Sequence, residues 1–193
     1  MSESAAILFS ACLLNNLILT HGLGILPGLS PAGNWSAATG LARVMLILLP
    51  LCTLSANLLT NHILAPLGLE YLQLICLVLA LPIIVLALLA LLRRWAPDIV
   101  RRYSVFVPIA LFNTAVIGAA LLDERAGHGA FAALLFGLGA GAGYGLVILL
   151  LTELQQRLVP AEIPASFRGL PIQLITLGLL AMAFTGLSGP GSP

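Results

Sequence analysis

The sequence carries very little charge. Only 8% of its 193 residues are Asp, Glu, Lys or Arg, whereas 60% are apolar. Soluble domains usually contain about 25% charged residues, so this chain has too little polar surface to cover a water-soluble globule. A net charge of +1 and the lack of a basic cluster interleaved with aromatic residues also argue against nucleic-acid binding. We therefore expect a protein embedded in lipid, with no nucleic-acid partner.

Sulfur ligands are also scarce. The three cysteines, Cys12, Cys52 and Cys76, lie in separate apolar stretches and form no C-x-x-C pair. Such residues behave as small apolar side chains, and their spacing indicates neither a disulfide framework nor a zinc site. Paired intramembrane carboxylates are absent as well, so the sequence gives no support to a proton relay through this chain alone. We predict no metal site.

Long apolar runs dominate what remains. A bilayer core requires about 20 apolar residues per helix, and charges, Pro and Gly divide the chain into six such stretches. They cover residues 5–29, 37–60, 71–92, 104–122, 130–152 and 171–188. The first has no basic region before it and no small-residue cleavage site after it, so we expect a spanning helix and not a signal peptide. Because the connectors are too short to fold independently, residues 1–193 are predicted to form a single all-α integral membrane domain.

Arginine predicts the orientation of these helices. All eight basic residues are Arg, and seven of them lie in or beside the connectors after the first, third and fifth stretches. These seven are Arg43, Arg93, Arg94, Arg101, Arg102, Arg157 and Arg168. Only Arg125 lies on the opposite side. The positive-inside rule then predicts that both termini are periplasmic in a multi-pass protein of the bacterial inner membrane.

The two halves of the chain share a short sequence pattern. The pattern Gln-Leu-Ile-x-Leu begins at Gln73 in the third stretch and again at Gln173 in the sixth. Because an odd number of spans separates equivalent elements, the halves would lie in opposite orientations across the membrane. We predict two inverted three-helix repeats, at about residues 1–95 and 100–190. Chance similarity between two Leu-rich helices is the alternative.

Polar residues and helix breakers concentrate in the equivalent first and fourth stretches. The first contains Asn15, Asn16, His21, Gly24 and Pro27, and the fourth contains Pro108, Asn113, Thr114 and Gly118. Unpaired amides are costly in hydrocarbon, and Gly and Pro weaken helical continuity. We therefore predict that both helices break within the membrane and that their polar residues line an ion or electron path. The alternative is that the asparagines link helices through hydrogen bonds worth about 1 kcal/mol each and that His21 is structural.

Glycines in the fifth stretch predict close helix packing. Gly137, Gly141 and Gly145 would form one ridge on a helix, and Gly139 and Gly143 a second, each allowing a neighbouring helix to approach. No strand or basic residue accompanies them, which excludes a phosphate-binding loop.

The polar motifs resemble those of the RnfA and NqrE family. Residues 14–17 and 24–27 are similar to the family's V-N-N-x and G-L-C-P-F elements, and residues 159–169 are similar to its V-x-D-V-P-x-x-F-K-G segment. Residues 108–118 match as well, so the resemblance covers nearly the whole chain. It implies a membrane subunit of an Rnf-type complex, not catalytic alone, that couples electron transfer between ferredoxin and NAD to sodium or proton translocation.

The resemblance also implies partners and cofactors. The expected partners are an RnfE-like sister and RnfB-, RnfC-, RnfD- and RnfG-like subunits, which would carry FMN, riboflavin and iron-sulfur clusters. In the family, one cysteine in each polar motif, with two from the sister, holds a [2Fe-2S] cluster. Here Leu26 and Thr114 occupy those positions. An aliphatic side chain offers no ligand and a neutral hydroxyl is a poor substitute for thiolate, so this cluster does not carry over by residue identity.

Several interpretations remain open at this point. Electrons could bypass these two positions, the sister could hold a cofactor alone, or the chain could be a divergent paralogue. Two other functions also fit parts of the sequence. The inverted halves and broken helices are typical of secondary transporters, which would make the chain a stand-alone permease. The missing cysteines would fit a structural assembly subunit with no ion or electron path.

Overall fold

The computed structural model describes residues 3–25, 29, 34–95, 113–158 and 163–188. These residues form helices and turns, with no β-strand among them. Their α-helices are α1 (Glu3–Phe9), α2 (Trp35–Leu59), α3 (Gln73–Trp95), α4 (Thr114–Arg125), α5 (Ala130–Leu158) and α6 (Leu170–Ser188). Single π-helical turns extend α1 over Ser10–Leu14 and α2 over Thr60–Leu64, and 3-10 turns at Glu70–Leu72 and Ala165–Phe167 precede α3 and α6. Each of the six predicted apolar stretches therefore contains a helix.

Two of the described helices are long and apolar enough to cross a membrane. They are Trp35–Leu64, with 30 residues, and Ala130–Leu158, with 29. At 1.5 Å per residue each exceeds the roughly 30 Å thickness of a hydrocarbon core. Ser4–Leu14, Gln73–Ala87 and Leu170–Gly186 are shorter apolar helices.

The first apolar stretch is interrupted, as the sequence predicted. Its first helical part ends at Leu14, where the Asn15 backbone N–H still donates to the Ser10 carbonyl at 2.7 Å. Residues 15–24 then form irregular turns. The predicted break in the fourth stretch is not tested to the same extent, because residues 96–112 lie outside the described residues. What the structure shows there is that α4 begins at Thr114.

The core is organised around α5, which packs most extensively against α2. Both predicted glycine ridges lie at its contacts. On the first ridge, a Cβ added to Gly141 would lie 2.9 Å from the Leu46 Cα, and one added to Gly145 would lie 3.2 Å from the Ala42 Cβ. Carbon atoms in ordinary contact are about 3.5–4.0 Å apart, so this face of α5 approaches α2 as closely as a residue without a side chain permits.

The second ridge faces the N-terminal helix. A Cβ added to Gly139 would lie 3.1 Å from the Leu8 Cα, and one added to Gly143 would lie 3.0 Å from the Cys12 Cα. The two ridges therefore let α5 fit between α2 and the α1 segment, which confirms the packing role predicted for these glycines. This fit also holds the interrupted chain after Leu14 against the centre of α5.

The outer faces of α3 and α6 are apolar and open. Leu79 and Ile83 on α3 are 63% and 65% exposed, and Met182 on α6 is 66% exposed. Contiguous apolar surface of this kind is rare on soluble monomers. Such a surface is expected on helices that contact lipid or another membrane protein.

Candidate functional site

Asn16 organises the irregular segment that follows the interrupted helix. Its side chain is fully buried, and its amide donates to the Cys12 carbonyl at 2.9 Å. Its Oδ1 accepts from the backbone N–H of Ile18 at 3.0 Å and lies 3.4 Å from that of Leu19. Since backbone groups freed by a helix break are costly inside an apolar core, one asparagine here replaces part of the lost helical bonding on both sides of the break.

The adjacent Asn15 has a different environment. It is exposed and its amide donates to the Ser10 hydroxyl at 3.1 Å. Neighbouring residues on a helix point about 100° apart, so two adjacent asparagines cannot share a partner on one face. The structure agrees, since Asn15 bonds to Ser10 and Asn16 bonds to Cys12.

A polar junction joins this segment to α4 and α5. The Gly24 backbone N–H donates to the Thr114 hydroxyl at 2.9 Å, while the Gly24 carbonyl accepts from the Tyr144 hydroxyl at 3.2 Å. The Tyr144 hydroxyl in turn accepts from the Asn113 amide at 2.8 Å. We call these four residues the polar junction. It joins Gly24 to Thr114, 90 positions later, and so connects the two stretches that the sequence singled out. It also joins Gly24 to Tyr144 on α5, 120 positions later.

Asn113 owes its position to the start of α4. Its backbone is extended, with φ −82° and ψ 119°, and its Oδ1 accepts from the Ala115 backbone N–H at 3.0 Å. This is the hydrogen bond of a helix N-cap, a position for which asparagine is among the preferred residues. Because the cap uses the oxygen, the amide nitrogen is directed to Tyr144, and both residues are fully buried. Asn113 therefore acts both as a cap and as an interhelical link.

Glycine is the only residue type that the junction accommodates at position 24. Its φ of 76° lies in the left-handed region that favours glycine. A Cβ there would also lie 2.6 Å from the Asn113 Oδ1 and 2.7 Å from the Tyr144 Cε2. Any side chain at this position would push apart the three elements that meet there.

The other predicted site residues are distributed differently. Asn15 and His21 are both exposed and line a cavity of about 460 Å³ beside α1, outside the polar junction. Leu26 and Pro27 lie outside the described residues. The structure therefore unites Gly24, Asn113 and Thr114, and the ion or electron path through the full predicted set stays a prediction.

The residues at the family's cluster positions do not fit a sulfur-ligated cluster. The Thr114 hydroxyl accepts a hydrogen bond from Gly24, a role for a neutral oxygen, whereas an iron-sulfur cluster takes thiolate ligands. Cys12, Cys52 and Cys76 are all free and belong to three different helical segments. Within the described part of the chain, no three His, Cys, Asp or Glu residues are grouped to hold a metal ion. We therefore derive no electron-transfer step through a cluster on this chain.

Two features of the site were missed by the sequence reasoning. Tyr144 completes the polar junction, and its signal was a single hydroxyl-bearing aromatic residue within an otherwise apolar, glycine-rich helix. The second feature is a contact between Asp123 and His128 at the end of α4, where the His128 Nδ1 lies 2.9 Å from the Asp123 Oδ1. Its signal was an acid and a histidine five residues apart, with Gly127 between them. Tyr144 itself lies in the apolar part of α5, before the polar residues that end this helix.

Long apolar helices, a glycine-packed core and a broken helix closed by buried polar residues define a helical membrane protein. The chain belongs to the Rnf-Nqr family, since the family model described as "Rnf-Nqr subunit, membrane protein" matches residues 4–190.

Relatives of similar length support this assignment. The chain is 37% identical over 190 residues to a protein of Pseudomonas aeruginosa that is named as a subunit of the ion-translocating oxidoreductase complex. It is 35% identical over 189 residues to the protein of the same name from Thioalkalivibrio sulfidiphilus, and 33% identical over 189 residues to that from Pseudoalteromonas atlantica. Each comparison covers 98% of both chains.

Proposed function

We propose that this chain is the RnfA-like membrane component of an Rnf-type complex that couples electron transfer between ferredoxin and NAD to sodium or proton translocation. The observation that carries the proposal is similarity, over 98% of both chains, to proteins named as subunits of an ion-translocating oxidoreductase complex. The chain would catalyse nothing alone. It would contribute a scaffold and part of a transmembrane route. The residues proposed for this route are Asn15, Asn16, His21, Gly24, Pro27, Asn113 and Thr114.

The proposal includes the membrane arrangement. Six spans would form two inverted repeats, at about residues 1–95 and 100–190, with both termini in the periplasm. The interrupted first helix and the Asn113 cap at the start of α4 support this arrangement, because discontinuous helices at equivalent positions are typical of inverted repeats. The partners would be an RnfE-like sister and RnfB-, RnfC-, RnfD- and RnfG-like subunits, which would carry the FMN, riboflavin and iron-sulfur clusters.

Purification from native membranes tests the proposal. A tagged chain should bring down flavin- and iron-containing subunits in fixed proportion, and the assembly should oxidise or reduce NAD with ferredoxin. If the chain purifies without flavin or iron, the proposal is wrong.

The missing thiolates can be tested in the same preparation. If a [2Fe-2S] electron paramagnetic resonance signal requires two thiolates from this chain, the wild-type complex should lack it and the double variant Leu26→Cys, Thr114→Cys should gain it. A signal from the wild-type complex that is lost on replacing Thr114 would contradict our conclusion that the chain offers no ligand there.

A stand-alone transporter is the second candidate, and the interrupted helix beside a cavity of about 460 Å³ favours it. Liposomes that contain only this chain would then take up a solute or an ion down its gradient. Under the leading proposal such liposomes remain tight. Flux that the isolated chain supports, together with the absence of redox partners, would select the transporter.

A further inference from the structure

The loop between α4 and α5 folds an imidazole back onto a buried carboxyl group. Gly127 has a φ of 66° and its backbone N–H donates to the Glu124 carbonyl at 3.0 Å, which ends α4 and reverses the chain. This turn places the His128 Nδ1 2.9 Å from the Asp123 Oδ1. Asn57 on α2 fixes the turn by donating from its amide to the His128 carbonyl at 2.8 Å. The pair is thus held by the fold from two helices.

Asp123 is in an unusual state for a carboxyl group. Its side chain is 0% exposed, and its second oxygen, Oδ2, has no hydrogen-bond partner in the described part of the protein. A buried carboxylate oxygen without a partner is costly. Burial raises the pKa of Asp123, and the neighbouring His128 only partly opposes this. The structure therefore favours a carboxyl group that can hold a proton.

A cavity gives this pair access to water. The His128 side chain is 21% exposed and lines the cavity of about 460 Å³, whereas Asp123 is not exposed. The polar residues around the cavity are Ser10, Asn15, His21 and His128, and the remaining lining is apolar. Since a water molecule occupies about 30 Å³ in the liquid, several can enter. The partly exposed imidazole can therefore exchange protons with cavity water.

We propose that Asp123 and His128 form a proton-exchange site that takes up one proton from the cavity. At the start, the His128 imidazole is neutral and carries its hydrogen on Nδ1. A proton from hydronium in the cavity then binds to the His128 Nε2. The Nδ1 proton then passes along the hydrogen bond to the Asp123 Oδ1. The result is a neutral carboxylic acid and a neutral imidazole with its hydrogen on Nε2, so the pair has gained one proton. This inference rests on the proposed function, in which the complex moves ions across the membrane.

The segments around Asp123 and His128 carry other ionisable groups. Glu124 and Arg125 follow Asp123 on α4, and the Glu124 carboxyl is coupled electrostatically to that of Asp123. His21 lies on the cavity wall, and His62 is exposed on the π-helical turn that follows α2. The ionisable residues described on α5, Tyr144, Glu153 and Arg157, lie at least three turns beyond its start, so that helix presents none beside His128. Sodium prefers oxygen ligands, as do other hard cations, and the nitrogen at the centre of this pair favours a proton.

Infrared difference spectroscopy tests the proposal in whatever assembly the tagged chain purifies. We expect the carbonyl band of a protonated carboxylic acid to titrate in the wild-type protein at a pH above the ordinary range of aspartate, because burial raises the pKa of Asp123. Asp123→Asn should remove the Asp123 contribution to this band, and what remains should come from Glu124, whose pKa burial also raises. His128→Gln should shift the midpoint of the band to higher pH, because the group that lowers the Asp123 pKa is then lost. Glu153→Gln should change neither, because Glu153 is 46% exposed and paired with Arg157.

The outcomes separate this inference from the proposed function. A band that Asp123→Asn leaves unchanged, or a midpoint that His128→Gln leaves unchanged, overturns the exchange site. A band that disappears on adding sodium chloride at constant ionic strength assigns the site to sodium and also overturns the proposal. The spectrum requires neither turnover nor partner subunits, so it can be read even if purification shows that the chain has no redox partners.

Discussion

Replacing Gly137 by alanine should separate the two central helices of this protein. The added Cβ would lie 2.9 Å from the Pro50 backbone nitrogen, and closer still to the Pro50 Cα and the Thr53 hydroxyl. Two of these three atoms belong to the α2 backbone and cannot rotate away. The Thr53 hydroxyl also donates to the Ala133 carbonyl at 2.9 Å, which is a direct link between α2 and α5. The methyl group therefore requires α2 to move.

The size of the effect follows from two opposing contributions. Restoring ordinary contact of about 3.5–4.0 Å requires a movement of about 1 Å, and overpacking of this kind costs about 3 kcal/mol, at the upper end of the usual range. Alanine regains about 1 kcal/mol through its higher helix propensity. The net loss is about 2 kcal/mol. For a protein of this length it should lower the Tm by about 4–8 °C.

Gly178 on α6 is the matched control, because it is also helical but a Cβ there would meet no atom within 4 Å. Gly178→Ala should raise the Tm by about 2–4 °C through helix propensity alone. Size-exclusion chromatography of a fluorescent fusion, heated in detergent before loading, measures both variants. If Gly137→Ala were as stable as Gly178→Ala, α2 and α5 would not approach as closely as the structure shows, and the packing argument would be wrong.

Two further predictions concern the polar junction and the pair formed by Asp123 and His128. Tyr144→Phe should lower stability by about 1–3 kcal/mol, because Asn113 and the Gly24 carbonyl lose a buried partner; Tyr71→Phe, at a side chain 77% exposed, should change it little. The heating assay measures both, and equal losses would contradict the prediction. Asp123→Asn should gain stability relative to wild type as pH rises, because a pKa raised by burial above the usual 3.8 makes the wild-type fold lose stability on ionisation. If the Tm of Asp123→Asn fell relative to that of the wild type as pH rises, this prediction would be wrong.

The helices and their packing could be predicted because they depend on local patterns. Apolar runs bounded by charge located the six α-helices that the structure describes, and the four-residue spacing of Gly137, Gly141 and Gly145 identified a contact face. The polar residues and glycines after Leu14 predicted the interruption. In each of these cases the energetic reason is carried by residues close together in the chain.

The connections between distant segments could not be predicted in the same way. Tyr144 has no neighbour in the sequence that identifies its partners, because both its bonds are made to residues outside α5, to Gly24 and to Asn113. His128 reaches Asp123 only because Gly127 adopts a left-handed conformation, and nothing in the residue types states which way the turn folds. The sequence reasoning also treated the asparagines as either links between helices or parts of a broken-helix site. Asn113 shows that these two interpretations are compatible, since its oxygen caps α4 and its nitrogen joins α5.

The hydrogen bond between Gly24 and Thr114 would hold the junction together if no metal cluster is bound beside it. In a cluster-binding relative, cysteines from two discontinuous helices would be tied together through iron, so loss of both thiolates would remove a cross-link as well as a redox centre. Here the Thr114 hydroxyl accepts directly from the Gly24 backbone at 2.9 Å, and Tyr144 and Asn113 close the same junction from the other side. Since a neutral hydrogen bond contributes about 1 kcal/mol and binds no electron, it can preserve the meeting of the two segments but not their redox chemistry. We therefore expect the architecture of the junction to persist in this family member whether or not a cluster is bound beside it.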